Sequence, residues 1–122
     1  MEVLRSDVLI ILEKLKESRE NAHIEEYRTL SNSLATVVEM IGDVSRDKED
    51  VRFFAKLQKS LNEEIVKLEI MKSSYLNNND YKQYYKAIHS YKDLHRSIKY
   101  TEKSMRKYMT SSAITQLRKN LK

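Results

Sequence analysis

Apolar residues recur along this chain at intervals of three and four, the spacing that lines one face of an α-helix. Leu4, Val8, Ile11, Leu12 and Leu15 form a first stripe, which fades at the "ESREN" of residues 17–21. Tyr27, Leu30, Leu34, Val37, Ile41 and Val44 form a second. A third, of about six turns, carries Phe54, Leu57, Leu61, Ile65, Leu68, Met71 and Tyr75. The fourth holds Tyr84, Ile88, Tyr91, Leu94, Ile98, Met105 and Tyr108.

Between the stripes lie residues that end and begin helices. Gly42 stands where the second helix should stop, because glycine takes the left-handed conformation of a C-terminal cap without a Cβ clash. In the "VSRDKED" that follows, Ser45 or Asp47 is placed to cap the third helix, with Glu49 and Asp50 in its first turn against the positive end of the dipole. "NNND" breaks the third stripe, and Asp80 with Gln83 three residues on reads as a capping box. The fourth helix should end near "MTSS", residues 109–112, whose serines could cap a short last helix holding Ile114 and Leu117. "ESREN" contains no obligate breaker; if it does not turn, the first two stripes share one rod of about 60 Å. A shift of 57 residues supports a turn: it lays Leu4, Val8 and Ile11 on Leu61, Ile65 and Leu68, and Ile24 and Tyr27 on Tyr81 and Tyr84. Helix pairs of the tetratricopeptide type would repeat at about 34 residues, a period that is missing.

The expected fold is therefore all-α, an antiparallel helical bundle of four main helices in one domain. Residues 1–44 form a first αα-hairpin, 45–109 a second, and 110–122 a basic tail or short fifth helix. Roughly 25 stripe residues, at about 1.5–3 kcal/mol each on full burial, suffice to offset chain entropy at this length. The longer second hairpin should reach past the first and leave apolar surface for a partner.

Composition sharpens this. The chain of 122 residues has no proline and one glycine, too little punctuation for a sheet-rich fold, and 34% of it is charged. It has no cysteine, which removes disulfides, thiolate nucleophiles and cysteine-built metal centres. The longest aliphatic run, Val8–Leu12, falls far below the roughly 20 residues needed to cross a bilayer, and the amino terminus lacks a secretory pattern. A soluble cytoplasmic protein is expected. Its lysine-, asparagine- and tyrosine-rich composition would suit a low-GC bacterium, its phage or a mobile element.

Charge is unevenly spread. Residues 1–80 hold 12 Lys+Arg and 16 Asp+Glu, net −4, whereas residues 81–122 hold 11 and 2, net +9. Such asymmetry points to contact with polyanions or to docking of one acidic surface on one basic surface. On a helical wheel Lys82, Lys86, His89, Lys92, Arg96, Lys99, Lys103 and Lys107 form a continuous ridge, with Tyr84, Tyr91, Leu94, Ile98 and Met105 on the opposite half. Tyr81, Tyr85 and Tyr100 lie near the ridge. Together they run about 35 Å, enough to follow a phosphate backbone and stack a base or two. Arg118, Lys119 and Lys122 of "LRKNLK" extend the basic character, while Lys103, Arg106 and Lys107 also suit a helix C-terminus electrostatically.

The candidate chemistry is thin. Glu20 and His23 make one Glu-x-x-His pair, but di-iron bundles need two such pairs and two further glutamates. His89 and His95 diverge by about 120° and cannot share a metal. A nucleophile elbow or phosphate-cradling loop needs more glycine than Gly42 alone. Arg19 and His23 fall one residue short of the Arg-x4-His spacing of helical ribonucleases. Glu25 with Glu26, and Glu63 with Glu64, are adjacent, so each pair splays and reads as surface charge. The ridge could approach anionic lipid, but the opposite face has a bundle to pack against, so no membrane role is expected.

The expectation is a non-enzymatic helical interaction module, a regulator, inhibitor or assembly protein working through protein contacts or self-association. It should need no cofactor, metal or small-molecule substrate. The alternative is a nucleic-acid-binding protein gripping phosphates through Lys82, Lys86, Lys92, Arg96, Lys99, Lys103, Arg106, Lys107, Arg118 and Lys119, with Tyr85 and Tyr100 beside them.

Overall fold

A computed structural model describes residues 2–45 and 50–121. Five helices account for nearly all of them: α1 (Glu2–Glu20), α2 (Ile24–Val44), α3 (Asp50–Asn77), α4 (Tyr81–Arg106) and α5 (Ser111–Asn120). There is no strand among the described residues. Asp47 and Glu49 lie outside them, so their expected roles at the start of α3 do too.

The first two stripes are separated by a turn, which falls just after "ESRE". Ala22 takes the left-handed conformation at φ 56°, and His23 N–H and Ala22 N–H donate to the carbonyls of Ser18 and Arg19. That pair of bonds closes a helix end as a Schellman motif. The same closure recurs 57 residues later, where Asn79 has φ 59° and Asp80 and Asn79 donate to Tyr75 and Leu76. The interval of the sequence echo is thus also the interval between identical backbone turns. At the second of them Asp80 accepts from Gln83 N–H. The reciprocal half of a capping box is not made, because Asp80 N–H is already given to Tyr75, and Gln83 Oε1 is left buried without a partner.

Helices joined by such short turns fold back on each other, α1 against α2 and α3 against α4. The hairpins join mainly through α2 and α4. Glu25 meets Lys86 near the start of both helices, and Gly42 meets Ser104 near their ends, so these two run side by side in the same sense. In that contact the packing differs from a bundle whose neighbours are all antiparallel. Two ion pairs, Arg5 with Asp50 and Arg19 with Glu64, set α1 beside the first half of α3. Glu25 at the start of α2 meets Lys86 and Lys72 of α3 covers Tyr91, so only the last turns of α3 and the first turn of α4 pass the end of the first hairpin. Ile70 and Leu76 of α3 and Tyr81 and Tyr85 of α4 are exposed.

The core follows the stripes, with Val8, Leu15, Tyr27, Leu34, Ile41, Phe54, Leu61, Leu68, Leu94 and Met105 fully buried. Three assignments change. Gly42 does not end α2: it is buried, helical and followed by two more residues of helix, and the C-cap is Ser45 in an extended conformation. Glycine at 42 makes room for a close contact, for a Cβ would stand 2.5 Å from Ser104 Oγ and that hydroxyl would have to shift. Ser45 Oγ donates to Asp50 Oδ2 at 2.7 Å, and its expected role as the cap of α3 falls on residues outside those described. On α4 the most buried line is not the tyrosines but Ala87, Ser90, Leu94, Ser97, Thr101 and Ser104, all small apart from Leu94, with Ser104 lying against Gly42 of α2. Four buried hydroxyls, of Ser31, Ser90, Thr101 and Ser104, bond back to carbonyls of their own helix. This satisfies Ser31, Ser90 and Ser104 within their own helix, while Thr101 Oγ1 also accepts from Gln58 Nε2 of α3 at 3.3 Å.

Glu64 is the third change. It is 1% exposed rather than part of a surface pair. Arg19 Nε donates to its Oε1 at 2.6 Å, and Tyr27 OH to the same oxygen at 3.1 Å, so one carboxylate clasps α1, α2 and α3. Burial, and then the Glu64 charge, hold the Tyr27 phenol protonated far above its ordinary range.

The last helix is capped by Thr110, one residue before the serines expected to cap it; its side chain accepts from Ala113 N–H. Ile114 is buried against the bundle, and Leu117 is half-buried.

Candidate interaction face on the fourth helix

Helix α4 packs on α2 along one flank and on α3 along the other, which leaves one arc for solvent. Burial sorts its residues by wheel angle. Lys82, Tyr85, His89, Lys92, His95, Lys99, Lys103 and Arg106 are exposed, and Arg96 is half-exposed among them. Among the described residues, Lys82, Lys92, Lys99 and Lys103 have no carboxylate within ion-pairing distance. Tyr85 is 61% exposed, its ring 5.8 Å from that of Tyr84.

Both carboxylates of α4 sit at the seams and not on this arc. Asp93 lies on the α2 side and pairs with Arg96 at 3.3 Å. Glu102 lies on the α3 side, where it accepts from Gln58 at 2.9 Å and from Arg106 at 3.1 Å and pairs with Arg118. Burial alone would raise the Glu102 carboxyl; Gln58, Arg118 and Arg106 outweigh it and hold the group below its ordinary range.

Half of the twelve expected contact residues are engaged within the fold. Lys86 pairs with Glu25 at 2.9 Å, a contact that, with Arg28, lowers the Glu25 carboxyl. Arg96 and Arg106 hold the two α4 carboxylates. Tyr100 bonds Glu39, which raises its phenol, and Asp43 adds to the effect. Lys107 donates to the Gly42 carbonyl in the last turn of α2, where a cation complements the dipole. Arg118 Nε donates to Gln58 Oε1 at 2.9 Å, pinning α5 to α3. Lys82, Tyr85, Lys92, Lys99, Lys103 and Lys119 point outward.

Comparison with protein-family models, with curated proteins and with solved structures finds no match.

Two grooves flank the column at its middle. Towards α2, a groove of about 450 Å³ is lined by Arg28, Thr29, Asn32, Ser33, His89, Lys92 and Asp93. On the column itself, a more apolar groove of about 320 Å³ is lined by Tyr91, Lys92, His95, Arg96 and Lys99. In its wall the rings of Tyr91 and His95 stand edge to face at 4.4 Å, and Lys72 of α3 covers Tyr91 at 4.5 Å from the ring centre. Sequence periodicity finds the column but not Arg28, which reaches the site from α2 and whose exposed pairing with Glu25 has the look of an ordinary i, i+3 contact. Towards its C-terminal end the column is bordered by Glu39 and Asp43 of α2 beside Lys103 and Lys107. Of the cations before Lys103, Lys82, Lys92 and Lys99 are therefore the ones no carboxylate pairs with among the described residues.

No group of three or more histidines or carboxylates able to hold a metal ion occurs among the described residues. No helix among them is long and apolar enough to cross a membrane.

Proposed function

We propose that the chain is a non-enzymatic helical interaction module that docks an acidic macromolecule along the solvent face of α4. One observation carries the reading: over that face, cations and rings are unbroken by any carboxylate of α4, since Asp93 and Glu102 are drawn into the seams. A face kept only for solubility mixes both signs, because like charges three or four residues apart on a helix weaken it. The comparison that tests the reading holds net charge constant. Glutamates at Lys82, Lys92 and Lys99 should abolish retention on immobilised polyanions, whereas glutamates at the equally exposed Lys14, Lys56 and Lys67 of α1 and α3 should leave most of it. Equal losses in the two triple variants would reduce the face to bulk charge and end the reading.

A second reading, docking of a protein or of another copy along the second half of α3, is favoured by Ile70 and Leu76, exposed by 69% and 44%. Sedimentation velocity of the wild type and of Ile70→Asp checks it. A faster-sedimenting species present only in the wild type is the expected sign, and a monomer in both discards it.

A further inference from the structure

The two grooves beside Lys92 differ in what they offer. The α2 side brings the guanidinium of Arg28, the ammonium of Lys92, the His89 ring and the amide and hydroxyls of Asn32, Thr29 and Ser33 around one space. Asp93 also lines it, with its carboxylate turned to Arg96. That donor-rich set suits a phosphodiester oxygen. The other groove has an apolar floor, with the exposed His95 ring braced by Tyr91 and rimmed by Lys92, Arg96 and Lys99. Further along the same face stands Tyr85, ten residues or about 15 Å from His95. An anion site between two accessible rings on one straight element is the arrangement that holds a sugar-phosphate chain with its bases turned onto aromatic faces. In a duplex the bases stack on each other and offer these rings nothing.

Resting on the reading of α4 as the docking face, we infer that its partner is single-stranded nucleic acid, with a phosphate held by Arg28, His89 and Lys92 and bases stacked on Tyr85 and His95. An acidic protein would answer the lysines equally well. It would leave the alternation of rings and cations along α4 without a purpose.

Fluorescence anisotropy with labelled dT20, the matching 20-base-pair duplex, inorganic polyphosphate and poly-glutamate, across a salt series from about 50 mM, separates the outcomes. With about four phosphates neutralised, log affinity for dT20 should fall against log salt with a slope near −3, and Arg28→Gln should reduce that slope by about 0.7. Tyr85→Ala with His95→Ala should weaken dT20 at least fivefold, leave the slope unchanged and leave polyphosphate binding untouched, since stacking acts on bases alone. Circular dichroism melts of each variant confirm that the fold is kept. Duplex binding as tight as that of dT20, or a double-ring variant without effect, overturns the single-strand inference while leaving α4 as a general polyanion face. Poly-glutamate binding tighter than dT20 redirects the face to acidic proteins and likewise overturns it. Failure of all four probes at about 50 mM salt removes both the inference and the function on which it rests.

Discussion

Gly42 shows how a residue that local rules place at a helix end can lie inside the helix and answer to a contact instead. The nearest atom to a Cβ at 42 would be Ser104 Oγ, with Ser104 Cβ at an ordinary 3.8 Å. Alanine at 42 gains about 1 kcal/mol of helix propensity but forces apart a buried contact, an overpacking cost of about 1–3 kcal/mol. Gly42→Ala alone should therefore be neutral to destabilising by urea denaturation. In a Ser104→Ala background the clash is gone and the same change should stabilise by about 0.5–1 kcal/mol. Equal effects in both backgrounds would show that α2 and α4 do not touch there. The Glu64 clasp yields a second residue-level expectation. Arg19→Met leaves a buried carboxylate with only Tyr27 as partner and should cost about 3 kcal/mol, and adding Glu64→Gln should recover most of that, since no charge then remains buried. If the double variant is as unstable as the single, the loss comes from packing and not from the charge.

The turns decide the elements. Ala22 carries a Cβ in the left-handed region, at about 1–2 kcal/mol, whereas Asn79 in the same motif belongs to the type that tolerates it. Ala22→Gly should raise the unfolding free energy by about 1 kcal/mol and Asn79→Gly by clearly less; the reverse order would mean that α1 does not close as described. Attachment of α5 depends on Glu102, whose carboxyl is held below its ordinary range in the folded state. Such a group contributes stability above the unfolded value of about 4.3 and loses it as pH falls through the folded one. The gap in melting temperature between the wild type and Glu102→Gln should thus be full at pH 7 and close as pH drops below about 4. What the sequence made legible follows from the same physics. Apolar periodicity located the elements and most of the core, because burial selects large side chains on one face of each helix. It missed the buried line of Ser90, Ser97 and Thr101 on α4, whose small polar side chains carry no apolar signal, and it missed Glu64, because adjacent glutamates carry no mark of which one turns inward. On the candidate face the lysine column was legible, while Arg28 was not, since its place beside His89 and Lys92 exists only once two helices lie in parallel.

For the whole molecule, the segregation of charge has an energetic consequence that separates a working surface from a wet one. Lys92 precedes Arg96 by four residues, and Lys99 precedes Lys103 by four. Each like-charged pair of this kind weakens a helix by about 0.2–0.5 kcal/mol. The acidic surplus of the first 80 residues does not relieve it, because Glu39 and Asp43 border only the far end of the column and Glu25 is taken by Lys86 and Arg28. A single reversal, Lys92→Glu, converts one repulsion into an i, i+4 attraction in the favourable order and places a carboxylate across the groove from Arg28. Folding stability should rise by about 0.5 kcal/mol in thermal or urea melts. Polyanion affinity should fall at least tenfold, because a cation at the junction of both grooves is replaced by its opposite. A solvated face predicts the first change without the second, and a binding face predicts both at once, the trade expected where a surface is held away from its stability optimum by what it must grip. Measured on one variant, stability and affinity moving in opposite directions would tie the cost of the column to its use.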